Sequence, residues 1–346
     1  MGITQQPESE LTDGDSEVES VNRRPVSRTR TLVMFAISMV LLGGAGYFVY
    51  QATDGLDGVW ESVSSSPWWM IVLIVLGPMG NHLSVSMCLH ALQSRHGKVG
   101  VREMFVLVGS AWLFNYLPMR AGLFGRIGYH KAINKIRLRD SIESSIWSGV
   151  LAGISNIVLV GIAFLMAEGS GGTEGWLIGL PAVPVVVMFA ASALMSGRKT
   201  RLMLRALAYR QIDVIVWLGR YWLAFQVLGL EMTISDIAII SAVSQLASLM
   251  PLTGSGIGFR EWGVGLTASA GGHAMGTAIA GDLINRAAET AIVLPVGLIC
   301  TAIVARHWNG MNKKASSEAL SEDDAGTGSE HEDQSRDAGE QDPAVG

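Results

Sequence analysis

The stretch DIAIISAVSQLASLMPLTGSGIGFREW, residues 236–262, carries the strongest structural signal in this chain. Its first half is apolar and helical in pattern. It carries polar side chains at positions i, i+3, i+4 and i+7, which share one helical face: Ser241, Ser244, Gln245 and Ser248. The helix must break at Pro251, because proline lacks the backbone N–H that continues the hydrogen bonds. Three glycines then follow: Gly254, Gly256 and Gly258.

A charge pair, Arg260 and Glu261, comes directly after the glycines and before another apolar run. A broken helix with a polar face and a charge pair is costly in hydrocarbon. It is tolerated where it lines a cavity or is buried in protein. The simpler alternative is a surface loop between two helices, but so apolar a chain leaves little room for one. We therefore expect a re-entrant segment that lines a cavity.

The composition places the chain among polytopic all-α membrane proteins. Of its 346 residues, 49% are hydrophobic and only 16% are charged, with a mean hydropathy of +0.35. The net charge of −5 comes from the ends, since residues 1–30 hold six acids and residues 315–346 hold ten, while residues 31–314 are net basic. We expect disordered cytoplasmic tails over residues 1–30 and 309–346, and a transmembrane domain over residues 31–308.

Six apolar segments are long enough to cross a membrane. They cover residues 31–50, 68–92, 146–167, 176–195, 212–230 and 277–304. Lysine and arginine gather in alternate loops, which by the positive-inside rule puts both termini in the cytoplasm. The expected location is therefore the cytoplasmic membrane.

Two further segments do not fit as spans. Residues 104–118 form an apolar run of only fifteen residues with basic flanks on both sides, whereas residues 236–273 have no basic flank at all. Each should dip into the membrane and return, the first from the inside and the second from the outside. Each has a proline, a glycine-rich turn and then an arginine, the outline of an inverted repeat whose broken helices meet at a substrate site.

These two motifs resemble a known family. MPLTGSGIGFRE, residues 250–261, resembles the proline–glycine–arginine–glutamate signature of the flippase-like transmembrane domain found in lysylphosphatidylglycerol synthases. LPMRAGLFGR, residues 117–126, resembles the same family's Pro-x-Arg-Ala-Gly-acid-x-x-Arg motif. The positions that match are Pro118, Arg120, Gly122, Arg126, Pro251, Gly256, Gly258, Arg260 and Glu261.

The resemblance implies movement of a polar-headed lipid across the bilayer. Three positions depart from the family pattern: Leu123 replaces the usual acid, Gly254 a frequent proline and Ser255 a frequent glycine. The missing acid weakens any proton- or cation-linked role for the first motif. Only 38 residues follow Trp308, so we expect the stand-alone membrane domain without a synthase domain.

Charged residues inside the last segment add candidates for a binding site. Asp282, Asn285, Arg286 and Glu289 share one helical face. They could hold an anionic headgroup, with the acids orienting the arginine, or they could form a self-neutralising pair of contacts between helices. Arg220 lies mid-span without a nearby acid, which favours either a phosphate or a carboxylate from another helix, such as Glu261 or Glu289.

Nothing in the sequence predicts an enzyme, a metal or a cofactor. The phosphate-loop, nucleophile-elbow and zinc-protease motifs are missing, so ATP is not implied and transport would be passive or ion-coupled. His82 and His90 lack an acid partner and are assigned to packing, as are Trp112 and Trp217. Nucleic acid is not an expected partner.

Our first hypothesis is a flippase-like protein that moves or binds a phospholipid or a polyprenyl-phosphate-linked substrate. Its predicted binding residues are Arg120, Arg126, Arg220, Gln245, Arg260, Glu261, Asp282, Arg286 and Glu289. A second hypothesis is a membrane-embedded accessory or enzyme subunit of glycolipid synthesis, working with a separate glycosyl- or aminoacyl-transferase. A third is a scaffold without cargo. Activity in liposomes with this protein alone would favour the first.

The predicted topology can be tested with single cysteines and a membrane-impermeant thiol reagent. Cysteines placed in residues 51–67 and 231–236 should react from outside, while those in residues 95–102 and 131–139 should not. External labelling near Lys135 would mean that residues 104–118 cross the membrane, and the inverted repeat would then be wrong.

Overall fold

The protein, analysed as a computed structural model, is helical wherever its backbone is described. The structure describes residues 56–116, 121–169, 180–249 and 256–337, with a few residues between 39 and 50, and side chains as far as residue 310. Over these ranges there is no β-strand. The expected all-α class is confirmed.

Ten helices make up the described ranges between residues 56 and 337. They are α1 Leu56–Ser65, α2 Trp68–Gln93, α3 Val101–Phe114, α4 Ala121–Ala132, α5 Leu138–Gly169, α6 Val183–Leu194, α7 Arg198–Val227, α8 Ile234–Leu249, α9 Phe259–Ala270 and α10 Met275–Asp337.

Three of these helices contain segments long and apolar enough to cross a membrane. The segments are Trp68–Gln93 in α2, Leu138–Met166 in α5 and Met275–Gly310 in α10. Their outer surfaces are strongly apolar: on α5, Ile157 is 75% exposed and Leu165 is 66% exposed, whereas Asn156 on the same helix is buried. An apolar exterior around polar interior residues is the arrangement expected of a protein surrounded by lipid.

The count of six spans stays a prediction. Most of predicted span 31–50 lies outside the described residues, and so do residues 170–179, which include the start of predicted span 176–195. α7 covers residues 212–227 of predicted span 212–230 but begins at Arg198, and Arg210, Asp213 and Arg220 make it too polar to qualify by composition. Two of these charges face the protein interior, since Asp213 and Arg220 are each only 2% exposed.

The backbone of α10 continues into the predicted C-terminal tail and is helical as far as Asp337. Residues 309–337 contain no proline, so the hydrogen bonds of a helix can continue through them. The boundaries of the two tails stay a prediction.

Helices α2–α5 and α7–α10 form two units of the same design. Each unit has a long helix, two short helices separated by a break, and a second long helix. The packing within the units corresponds: the first long helix packs on both the first short helix and the last long helix, and each short helix packs on its successor. Between the units, α2 packs on α7, α3 on α10, and α5 on α8. If each helix of the first unit is exchanged with its counterpart in the second, the same pairs of helices are in contact.

The glycines of the two motifs allow the helices on either side of each break to pack closely. At Gly122 an added Cβ atom would lie 2.0 Å from the carbonyl oxygen of Ala111, so α4 crosses the backbone of α3 directly. Gly256 and Gly258 have φ angles of +73° and +89°, which residues with a Cβ atom rarely adopt. The turn before α9 thus requires both glycines.

Gly122→Ala should destabilise the fold, because its methyl group would collide with backbone that cannot move aside. We expect a loss of about 1–3 kcal/mol and a lower thermal midpoint in detergent. Gly125→Ala is the matched control: it lies in the same helix, and nothing is within 4 Å of its added Cβ. Equal midpoints for the two variants would show that α3 and α4 do not pack as described.

Candidate functional site

A cluster of six charged side chains lies buried where α7, α9 and α10 meet. This charge cluster has three arginines and three carboxylates, so its formal charge sums to zero: Arg220, Arg260, Arg286, Glu261, Asp282 and Glu289. Five of the six are at most 5% exposed. A buried charge without a partner is very costly, and this neutrality is what permits the cluster in an apolar bundle.

Arg260 is the centre of the charge cluster. Its Nε donates to Asp282 Oδ1 at 2.8 Å, and its Nη1 donates to Glu289 Oε2 at 3.0 Å. Both acids lie on α10, seven residues and about two turns apart, so one guanidinium spans both. This fork-like binding is the geometry that arginine, unlike lysine, can supply.

Arg220 reaches the charge cluster from α7. It donates from Nη1 to Asn81 Oδ1 at 3.0 Å and from Nη2 to the backbone oxygen of Asn285 at 3.0 Å, and Nη2 lies 3.9 Å from Glu289. The guanidinium carbons of Arg220 and Arg260 are 4.9 and 5.0 Å from the centroid of the Trp217 ring. Trp217, assigned to packing from the sequence, thus also contacts both cations.

Glu261 links the helix break to the charge cluster. It is the third residue of α9, and its Oε2 accepts a hydrogen bond of 2.7 Å from the backbone N–H of Gly258, which caps the helix. Its Oε1 lies 2.8 Å from Arg286 Nε. The glycine–arginine–glutamate motif therefore builds a turn, a cap and three ion pairs within six residues.

A pair of hydroxyl groups connects α8 to Asp282. Tyr221 hydrogen-bonds to Asp282, and Ser244 Oγ lies 2.6 Å from the Tyr221 hydroxyl oxygen. Ser244 belongs to the predicted polar face of residues 241–248, so that face does point inward. Ser241 and Ser244 are fully buried.

A cavity of about 320 Å³ lies beside the charge cluster and is bordered by α2, α3, α4, α5, α7, α8 and α10. Arg220 and Glu289 border it on the cluster side, while Arg126 and Arg210 border it elsewhere. Two of its buried amides keep atoms without protein partners in the described part of the chain. Asn156 Nδ2 donates to Gln245 Oε1 at 3.3 Å, which leaves Asn156 Oδ1 and Gln245 Nε2 unpaired.

Such buried polar atoms call for a partner beyond the described residues, and water or a ligand in the cavity could supply it. The volume is at the lower end of the range for small-molecule sites and is large enough for a lipid headgroup. Apolar residues complete the lining, among them Val85, Leu89, Val108 and Trp112.

The structure divides the predicted binding residues into two groups. Arg126, Arg220, Gln245 and Glu289 border the cavity. Arg260, Glu261, Asp282 and Arg286 belong to the charge cluster and are not among the residues that border the cavity. Arg120, Pro118, Pro251 and Gly254 lie outside the described residues.

Arg286 differs from its sequence interpretation. The spacing on α10 suggested that Asp282 and Glu289 would flank and orient it, but both acids contact Arg260 and Arg286 pairs with Glu261 on α9. Within the described ranges no group of three metal-ligating side chains is placed to hold a metal ion.

Asn81 on α2 and three polar residues of α5 were not predicted from the sequence. Asn81 donates from Nδ2 to Asp213 Oδ1 at 2.8 Å, and Ser145 and Ser148 on α5 bind arginines. Ser145, Ser148 and Asn156 recur at helical spacing on a face directed toward the cavity. The same test of spacing that singled out residues 241–248 would have found them.

In comparisons with family models, characterised proteins and solved structures, nothing matches this chain. The resemblance to the flippase-like domain therefore remains an interpretation of two motifs.

The charge cluster predicts strong coupling between Arg260 and Asp282. Arg260→Met or Asp282→Asn alone leaves an uncompensated buried charge and should cost about 3–5 kcal/mol. The double variant should lose clearly less than the sum, because it restores neutrality. Thermal unfolding in detergent measures all three.

Arg95 and Glu143 provide the matched control pair, since they are 4.0 Å apart and Glu143 is 42% exposed. Their double-mutant coupling should be under about 1 kcal/mol. Additive losses for Arg260 and Asp282 would contradict the charge cluster.

Proposed function

We propose that the protein binds a lipid with a polar, phosphate-bearing head and moves it across the cytoplasmic membrane. The observation that carries this proposal is the polar cavity inside a bundle with an apolar exterior. A lipid must pass its head through a polar path while its acyl chains stay in hydrocarbon. The described helices offer both environments side by side.

The size and lining of the cavity support a headgroup as the cargo. A volume of about 320 Å³ suits a phosphate with a small substituent, and the acyl chains would extend beyond it. Arginines, serine hydroxyls and unpaired amides at its wall are donors suited to phosphate oxygens. Exposed apolar residues on α5 provide a surface for the chains.

We infer that the two units are inverted relative to each other in the membrane. The exchange of contacts between α2–α5 and α7–α10 supports this arrangement, and so does the distribution of basic loops. The full topology would then be six spans, two re-entrant hairpins formed by α3–α4 and α8–α9, and cytoplasmic termini. Broken helices that meet at the centre of such a repeat commonly form the substrate site.

The resemblance to the flippase-like domain of lysylphosphatidylglycerol synthases supports the same proposal. Its second motif forms the turn, cap and ion pairs around Gly258, Arg260 and Glu261. These contacts explain why the motif needs those residue types in that order. The proposal follows from the cavity and does not depend on the family assignment.

Reconstituted proteoliposomes with fluorescent phosphatidylglycerol in both leaflets test the proposal. Purified protein should expose inner-leaflet lipid to an external reductant such as dithionite, with no other protein present. Gly153→Phe should abolish this activity, because Gly153 borders the cavity and its ring would fill the space.

Gly161→Phe is the matched control on the same helix, exposed and away from the cavity, and it should remain active. The proposal would be overturned if dithionite reduced no more fluorescent lipid in vesicles with wild-type protein than in empty vesicles. Activity that appears only with an added transferase would favour the accessory role instead.

A further inference from the structure

The arginines that follow the two helix breaks have opposite surroundings. Arg260, after the second break, binds two carboxylates. Arg126, after the first break, donates from Nη2 to Ser145 Oγ at 2.9 Å, and within the described ranges no carboxylate oxygen is within 4 Å of it. One unit thus supplies its own anions and the other does not.

Arg126 borders the cavity together with a second arginine. Arg210 on α7 donates from Nη2 to Ser148 Oγ at 2.9 Å and from Nη1 to Asp213 Oδ2 at 2.8 Å. Ser145 and Ser148 are one turn apart on α5, so the two guanidinium groups contact neighbouring points of one helix face. Asp213 balances only one of the two cations.

The other arginines near the cavity are already compensated. Arg220, Arg260 and Arg286 belong to the neutral charge cluster. An anion bound there would add an unbalanced negative charge to a buried neutral group, which is costly. The excess positive charge of the described cavity wall is therefore located at Arg126.

We propose that Arg126 and Arg210, with Ser145 and Ser148, form a phosphate-binding site in the cavity. The site rests on the proposed function for the source of its ligand, a lipid headgroup. Its chemistry is that of any phosphate site: Ser145 and Ser148 hold two guanidinium groups one helical turn apart, and the planar N–H donors of both groups suit a tetrahedral anion. Bound phosphate would supply the negative charge that the first unit lacks.

Isothermal titration calorimetry of the full chain in an uncharged detergent tests the site. The probes are dioctanoyl phosphatidylglycerol, dioctanoylglycerol, which lacks phosphate, and inorganic phosphate. Arg126→Gln should weaken binding of the phosphatidylglycerol at least about tenfold, since it removes a charge-assisted contact. Arg126→Lys keeps the charge but loses the planar donors. Its affinity for the phosphatidylglycerol should fall between that of the wild type and that of Arg126→Gln.

Arg139→Gln is the matched control, because Arg139 is exposed near the start of α5. It should bind as tightly as the wild type, and dioctanoylglycerol should not bind at this site. The elution volume in size-exclusion chromatography and the thermal midpoint show whether Arg126→Gln is folded. If it is not, the affinity of Arg126→Lys is compared with that of the wild type, and equal affinities would overturn the phosphate site.

The outcomes separate the two proposals. Phosphatidylglycerol that binds Arg126→Gln as well as Arg139→Gln overturns the phosphate site and leaves the proposed lipid function standing. Arg126-dependent binding of inorganic phosphate, with no gain from acyl chains, supports the phosphate site but identifies a free anion as its ligand. That second result would count against the lipid function.

Discussion

The bidentate contact of Arg260 with Asp282 and Glu289 is the interaction on which the interior of this protein depends. A lone charge is very costly in this apolar bundle, and each of the three arginines of the charge cluster faces a carboxylate from another helix. The pairing fixes α9 against α10 and, through Arg220 and Trp217, both against α7. The need to neutralise buried charges therefore helps to determine how α7, α9 and α10 pack together.

The helix breaks follow from the same constraint. Arg260 can reach α10 only because α9 begins at the charge cluster, and that start requires Gly256 and Gly258 with positive φ angles. Glu261 offsets the cost of placing an arginine near the positive end of a helix, since it caps the free backbone N–H of Gly258. In the first unit the helix break is retained, but Arg126 binds a serine hydroxyl instead of carboxylates.

Much of this arrangement could be predicted from the sequence because polar residues are rare in apolar segments and their spacing is visible. The inward face of residues 241–248 and a carboxylate from another helix beside Arg220 were accessible in this way. The helix ends at Phe114 and Leu249 were accessible from the prolines that follow them, Pro118 and Pro251. The partner choices were not, since Arg286 and Arg260 are both within reach of acids and only packing decides between them. Asn81 was missed because a single polar residue on α2 resembles ordinary helix composition. Ser148 was missed although its spacing to Ser145 and Asn156 is visible in the sequence.

The central claim is that the cavity holds a phosphate-bearing lipid head. Mass spectrometry of lipids that remain bound after purification tests it most directly, with the lipids of the source membrane as reference. We predict that one class of phosphate-headed lipid is enriched in the protein sample. A bound-lipid composition identical to that of the bulk membrane would contradict a specific headgroup site.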